Sequence, residues 1–211
     1  MSGVRKVVTR SPNRRVGTVA CPWFRTTPIE YESLLERDFI RLSILDPHVS
    51  SISEQPFTLA LGGLGRYTPD FLLMHTGGPI VVEVKPRARA SDPTVSPRLE
   101  SAARVLADKD YRFLIATEDF IRGNKRHERA GVLLRHARSH LQSSVTSRTL
   151  NIASKYSKGI AIRQLATQAG VPESAVLHLV GRRLLRIGQS LCFTGSQLVY
   201  PIGGSHDRVR A

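Results

Sequence analysis

The sequence lacks several features that would each define a class of protein. None of its 211 residues falls in an apolar run long enough to span a membrane, and the first thirty contain no apolar segment typical of a secretion signal. Cysteine occurs only at Cys21 and Cys192, without nearby histidines. This excludes a zinc knuckle and fits a reducing cytoplasm better than a disulfide scaffold. We find no internal repeat.

Acidic residues are also scarce. The chain has 17 Asp and Glu against 31 Lys and Arg, a net charge of +14. Such an excess predicts a polyanionic partner, and nucleic acid is the leading candidate. Fifteen of the 17 acidic residues lie between positions 26 and 145, while positive charge dominates both ends. Carboxylates repel a polyanion, so their concentration in this part of the chain indicates a chemical role for them.

Composition predicts five segments along the chain. We expect a basic N-terminal arm over residues 1–26, an α/β domain over 27–142 and a Ser/Thr-rich linker over 143–149. A helix–turn–helix domain with a two-stranded wing follows over 150–203, and residues 204–211 form a polar tail.

Local patterns predict the elements of the α/β domain. Thr27, Pro28 and Glu30 have the spacing of a capping box, which predicts a helix that starts there and ends near Asp46. Apolar runs bounded by glycine and proline predict the strands. The predicted order is helix, three strands (57–61, 67–75 and 79–85), a helix from Ser96, a strand over 111–117, and further helix from Glu118 onward, including 127–141.

The strongest chemical pattern is Pro69-Asp70 followed by Glu83-Val84-Lys85. If the hairpin turn centres between Gly77 and Gly78, Asp70 lies opposite Lys85 and shares a sheet face with Leu72 and Glu83. The other face carries Phe71, Leu73, Val82 and Val84 for burial. Two interpretations follow: a cross-strand ion pair on a solvated face, or two carboxylates and a lysine arranged for metal-assisted phosphodiester hydrolysis.

This arrangement resembles the PD-(D/E)xK nuclease superfamily and, within it, the TnsA-type endonucleases that act with a DDE transposase. The similar residues span about 30–125. They comprise Leu35-Glu36, Glu54-Gln55-Pro56, Tyr67-Thr68-Pro69-Asp70-Phe71, Glu83-Val84-Lys85-Pro86 and the strand 113–117 with Glu118. The resemblance implies a restriction-endonuclease-like αβββαβ core with a mixed sheet, followed by a C-terminal winged-helix domain.

The resemblance also implies the site and its cofactor. Glu36, Asp70, Glu83 and Lys85 would form the catalytic set. Asp70, Glu83 and Glu36 would hold Mg²⁺, with Mn²⁺ as an alternative, and Lys85 would serve the attacking water. Glu32 competes with Glu36 for the helix position. Gln55 would either line the site or stabilise a turn.

The implied function is 5′-strand cleavage at transposon ends in cut-and-paste transposition. The implied partners are double-stranded DNA, a DDE transposase and an AAA+ ATPase regulator, in a bacterial, nucleoid-associated setting. A stand-alone repair or restriction nuclease, and a non-catalytic winged-helix assembly factor, remain as alternatives.

The basic residues outside the site have two interpretations. The arginines and lysine between 122 and 138 form either a solvated helix face or, as we prefer, a phosphate-tracking surface. In the second domain, the second helix mixes Glu173 and apolar residues with a terminal Arg182-Arg183 pair. This mixture favours docking of a protein over reading of DNA bases.

Overall fold

The computed structural model describes residues 15–202, and the chain divides into two compact units, Met1–Gly123 and Asn124–Ala211. The sequence predicted that the first domain ends near residue 142, whereas the first unit ends at Gly123. The predicted tail over 204–211 and most of the predicted basic arm lie outside the described residues. In the part that is described, no helix has both the length and the apolar character needed to cross a bilayer.

The described part of the predicted arm is a β-hairpin. Strands β1 (Gly17–Cys21) and β2 (Arg25–Tyr31) pair antiparallel. Val19, Cys21 and Ile29 are buried, with the two-residue spacing of one strand face. The predicted arm is therefore wrong over residues 17–26, and the predicted helix start at Thr27 is wrong as well.

The first helix, α1 (Leu34–Leu45), begins at Leu34 and not near Thr27 as predicted. Ser33 is its N-cap, and the Ser33 hydroxyl accepts a hydrogen bond from the Glu36 amide. The Glu36 carboxylate in turn accepts from the Ser33 hydroxyl and the Glu32 amide. The capping box is thus Ser33 with Glu36, because residues 25–31 are held in the hairpin.

The remaining elements of the first unit include a four-stranded sheet in the order β3-β6-β7-β8, mixed because only the β7–β8 pair is parallel. These elements are β3 (Val49–Glu54), β4 (Leu59–Ala60), β5 (Arg66–Tyr67), β6 (Phe71–His75), β7 (Gly78–Val84), α2 (Arg87–Ala90), α3 (Ser96–Ala107), β8 (Arg112–Ala116) and α4 (Glu118–Arg122).

The succession α1, β3, β6, β7, α3, β8 confirms the predicted αβββαβ core with a mixed sheet. One member was assigned wrongly. The first core strand is the serine-rich β3, whereas the predicted strand over 57–61 yields only the short β4, which pairs with β5 outside the main sheet.

Both faces of the sheet are covered. On one face, the ring of Phe39 in α1 stacks on Phe71 of β6 with centroids 5.7 Å apart. On the other, Leu99, Ala102 and Leu106 of α3 belong to one apolar cluster with Val81 of β7. The alternative of an ion pair on a solvated face is therefore wrong, since Val81 and Glu83 on that face are both buried.

The β6–β7 hairpin has a register two residues away from the predicted one. Phe71 pairs with Val82 and His75 with Gly78, so the turn centres between Thr76 and Gly77. Gly78 has φ of +100°, which glycine adopts without strain. A shift of two residues preserves the faces, and burial of Phe71, Leu73, Val82 and Val84 is confirmed. Continuing the register by one pair sets Asp70 opposite Glu83 rather than Lys85.

The second unit contains helices and a three-stranded antiparallel sheet in the order β10-β11-β9. Its elements are α5 (Arg126–His136), α6 (Ser143–Ala153), β9 (Ile160–Ala161), α7 (Ile162–Ala169), α8 (Glu173–Gly181), β10 (Leu185–Ile187) and β11 (Leu198–Pro201). The predicted linker over 143–149 is wrong, because it forms most of α6, which buries Thr149 and Ala153.

Two helices of this unit follow the predicted pattern. Helices α7 and α8 flank the tight turn at Gly170, and strands follow them. Helix α8 packs against α5, where a Cβ added at Gly181 would collide with the Leu133 carbonyl. The assignment of this unit as a winged helix stays a prediction.

Candidate active site

The site residues of the hairpin meet at one end of the core sheet. Asp70 immediately precedes β6, and Glu83 lies near the end of β7 with Lys85 just beyond it. Pro69 has no amide hydrogen to donate, so the strand ladder starts after it. The backbone carbonyl of Ala116, at the end of the parallel β8, accepts from the Lys85 amide at 3.1 Å. Three strand ends therefore fix the position of these side chains.

Glu83 is almost fully buried, at 6% exposure, and both of its carboxylate oxygens are engaged. The Tyr67 hydroxyl donates to Oε2 at 2.6 Å, and Lys85 Nζ lies 2.7 Å from Oε1. Burial and the adjacent Glu83 carboxylate raise the pKa of the Tyr67 phenol far above its usual value, so Tyr67 stays a donor. The predicted partner of Lys85 was Asp70; the structure pairs Lys85 with Glu83.

Asp70 is held between two strands. Its Oδ2 accepts from the Val84 amide at 2.7 Å, and its backbone carbonyl accepts from the Gln55 amide at 2.8 Å. Burial, and then the like charges of Glu83 and Glu36, raise the pKa of Asp70 well above its usual value. Among residues 15–202, no group forms a hydrogen bond with Asp70 Oδ1.

Glu36 lies within electrostatic reach of the hairpin carboxylates, since its charge acts on Asp70 and that of Glu83 acts on it. Burial raises the pKa of Glu36 in spite of the hydrogen bonds from the Glu32 amide and the Ser33 hydroxyl. Both Glu36 oxygens are committed to the capping box of α1. The competing Glu32 contributes its amide to that box.

A hard divalent cation needs oxygen ligands from the protein and from water. Within residues 15–202, no three or more Asp, Glu, His or Cys side chains are arranged so that together they could hold a metal ion. Asp70 and Glu83 alone supply two carboxylates, and Mg²⁺ commonly takes only one or two from a protein. Buried like charges that raise the pKa of Asp70 are also the condition that a bound cation relieves. The two residues fit such an ion.

Gln55 has an unusual backbone at the edge of the site. Its φ is +40°, a region that residues other than glycine seldom adopt. The conformation directs its amide to the Asp70 carbonyl and ends β3 beside the site. Gln55 therefore contributes to the site through its backbone.

The predicted basic surface over 122–138 is divided by the structure. Arg122 belongs to the first unit and the others to the second. The Arg129 side chain donates to the Ser190 backbone carbonyl at 2.8 Å, which is a contact within its own unit. One continuous helix from 127 to 141 is also wrong, because α5 ends at His136.

The role of Tyr67 was not predicted, although the residue lies in the segment 67–71 that resembles the TnsA-type endonucleases. The position of Tyr67 relative to Asp70 could have indicated its role. Tyr67 precedes Asp70 by three residues, and a buried tyrosine usually needs a hydrogen-bond partner for its hydroxyl.

The core order and the hairpin carboxylates of this chain are consistent with the PD-(D/E)xK nuclease class that its sequence resembles. Residues 46–118 match the family model described as the TnsA-like endonuclease N-terminal domain. The predicted resemblance to TnsA-type endonucleases is thereby confirmed, and the match supports a nuclease associated with transposition. The matched segment includes Asp70, Glu83 and Lys85 and excludes Glu36. No curated protein matches the chain.

Proposed function

We propose that this protein is a metal-dependent DNA endonuclease that cleaves the 5′ strand at transposon ends. The observation that carries the proposal is the convergence of Asp70, Glu83 and Lys85 at one sheet end within the TnsA-like segment. A buried carboxylate pair with one neighbouring ammonium has little value for stability alone, because desolvation offsets the attraction. Such a cluster is typical of a functional site.

The residues of the chain have separate tasks in this proposal. Asp70 and Glu83 would hold Mg²⁺ or Mn²⁺, with Glu36 as a further acidic group beside them. When bound, the cation supplies Lewis-acid stabilisation of charge on the phosphate and a more acidic water. Tyr67 fixes the Glu83 carboxylate, since it donates from the buried side. The Lys85 side chain is 28% exposed, so its Nζ can reach an incoming phosphate or orient the attacking water.

The second unit would act mainly as a docking module for an AAA+ ATPase regulator. A helix that reads DNA bases needs exposed side chains to enter the major groove. In α8, all residues from Ala175 to Gly181 are buried, and Glu173 pairs with Arg163 at 3.2 Å. That burial supports docking over base readout by this helix, within a winged-helix domain.

The partners follow from the same reasoning. A TnsA-type endonuclease acts beside a DDE transposase, which would cleave and join the 3′ strand at the same ends. The test is a strand-resolved cleavage assay that combines this chain with a DDE transposase and an AAA+ ATPase from the same genome. Lys85→Ala should abolish 5′-strand cuts and leave 3′ nicking and joining, which converts excision into a co-integrate outcome.

The same assay separates the alternatives. Cleavage of both strands by this chain alone would overturn the proposal in favour of a stand-alone repair or restriction nuclease. Unchanged 5′ cleavage in the Lys85→Ala mixture would assign that cut to another protein and leave this chain as an assembly factor.

A further inference from the structure

A second charged cluster of the first unit lies around Asp38, outside the segment that matches the TnsA-like family model. Asp38 lies on α1 and is 1% exposed. Three arginines surround its carboxylate, two from α1 and one from the end of α4: Arg37, Arg41 and Arg122. One buried carboxylate thus faces three guanidiniums, which leaves a local excess of positive charge.

The contacts show that Asp38 orients two of these arginines. Arg37 donates through Nε and Nη2 to Oδ1 at 3.1 and 2.7 Å. Arg122 donates through Nε to Oδ2 at 3.0 Å, and its Nη2 lies 2.9 Å from the same oxygen. Across residues 15–202, Nη1 of either arginine has no hydrogen-bond partner. Both side chains retain solvent exposure, 28% and 42%.

The arginines belong to elements that start at the carboxylate site. Arg37 directly follows Glu36 in the first turns of α1. Arg122 is the last residue of α4, and Glu118 is its first. Glu118 lies two positions beyond Ala116, whose backbone carbonyl accepts a hydrogen bond from the Lys85 amide. Helices α1 and α4 pack together, and Ile121 is fully buried. The cluster is therefore anchored to the same rigid framework as the site.

We infer that Arg37 and Arg122, fixed by Asp38, form a binding site for the DNA phosphate backbone beside the carboxylate site. Guanidiniums with outward N–H groups suit phosphate oxygens, and a buried carboxylate holds them in place before binding. A carboxylate site repels phosphate until a cation is bound, so a nearby positive site would retain the strand. The inference rests on the proposed function, because it takes DNA as the ligand.

The test measures binding of the full chain to a short mixed-sequence duplex over a range of salt concentrations, with EDTA present to prevent cleavage. Arg37→Gln and Arg122→Gln should each lower the slope of log affinity against log salt by about 0.9, the value for one phosphate contact. Arg104→Gln is the matched control. Arg104 is exposed in the last turn of α3, which leads to the start of β8 at the opposite end of the sheet, and its loss should not change the slope.

Removal of either arginine could unfold the chain, because Asp38 would lose a partner. The same comparison is therefore made in an Asp38→Asn background, with and without Arg122→Gln, and the second change should again lower the slope by about 0.9. A folded Arg37→Gln or Arg122→Gln variant with the wild-type slope would overturn this site and leave the proposed function intact. An equal decrease of the slope in Arg104→Gln would do the same. Absence of any salt-dependent binding by the wild-type chain would overturn both.

Discussion

Two clusters of charge in the first unit have opposite compositions. The cluster at the sheet end combines the carboxylates of Glu36, Asp70 and Glu83 with one ammonium. The Asp38 cluster combines one carboxylate with three guanidiniums. The first cluster has negative charge in excess and suits a cation, while the second has positive charge in excess and suits phosphate. A phosphodiester nuclease needs both.

The largest expected effect is a loss of DNA cleavage when the carboxylate cluster is changed. Asp70→Asn or Glu83→Gln should lower single-turnover cleavage by about 10³-fold, because several kcal/mol of charge stabilisation are lost with the ion. DNA affinity should not fall, since each change removes a negative charge. Cleavage near the wild-type rate in either variant, or in EDTA, would remove the carboxylate cluster from the chemistry.

Tyr67→Phe should have a smaller effect on the same cluster. The ring keeps its edge contact with Phe113, but Glu83 Oε2 loses its donor. Loss of a group that orients a metal ligand typically weakens metal binding by about 10–100-fold. The half-saturating Mg²⁺ concentration for cleavage should rise by that factor, with the maximal rate partly restored at high Mg²⁺. An unchanged metal dependence would contradict this role.

Glu36 belongs to the carboxylate cluster and to a helix cap, and two variants distinguish these roles. Glu36→Gln keeps a side chain that a capping box accepts and removes the charge, so it should lower cleavage by about tenfold with little loss of stability. Ser33→Ala removes the cap and keeps the charge, so it should cost about 1 kcal/mol of unfolding free energy with cleavage retained. Equal loss of cleavage in both would assign Glu36 to the cap alone. Glu32→Gln should leave cleavage unchanged.

The smallest effect is on stability. Without metal, Asp70→Asn should raise the free energy of unfolding by about 1 kcal/mol, since it removes a charge repelled by Glu83 and Glu36. Folding raises the pKa of Asp70, so the folded state binds the proton more tightly and wild-type stability increases as pH falls towards the ordinary value of 3.8. The advantage of the variant should shrink over that range. Thermal unfolding at several pH values measures it, and an advantage that grows towards acid pH would contradict the account.

The core order and the faces of the hairpin could be predicted because apolar runs bounded by glycine and proline mark the strands, and a one-residue shift would turn Asp70 towards the face that buries Phe71. The hairpin register could not be predicted, because the turn can centre on either side of Gly77. Both positions place the same residues on each face of the hairpin. Strand β3 was missed since its serines have low strand propensity, and only pairing with β6 selects it. The Ser/Thr-rich α6 was missed for a similar reason, because tertiary packing overrides weak local preference.

Site residues were easier to predict than their partners. Asp70, Glu83 and Lys85 followed from spacing, but the Lys85 contact depended on the register. The capping box was assigned to Thr27 because Pro28 strengthened it, and nothing local showed that residues 25–31 pair with β1. The Asp38 cluster joins residues 84 positions apart, a relation that sequence spacing does not reveal.

Direct measurement of Mn²⁺ binding, by electron paramagnetic resonance of the full chain, tests the central claim that the carboxylate cluster holds a cation. Wild-type protein should bind the ion, Asp70→Asn and Glu83→Gln should bind it at least about tenfold more weakly, and Arg37→Gln and Arg122→Gln should bind it normally. Equal Mn²⁺ affinity in wild-type, Asp70→Asn and Glu83→Gln proteins would contradict the account.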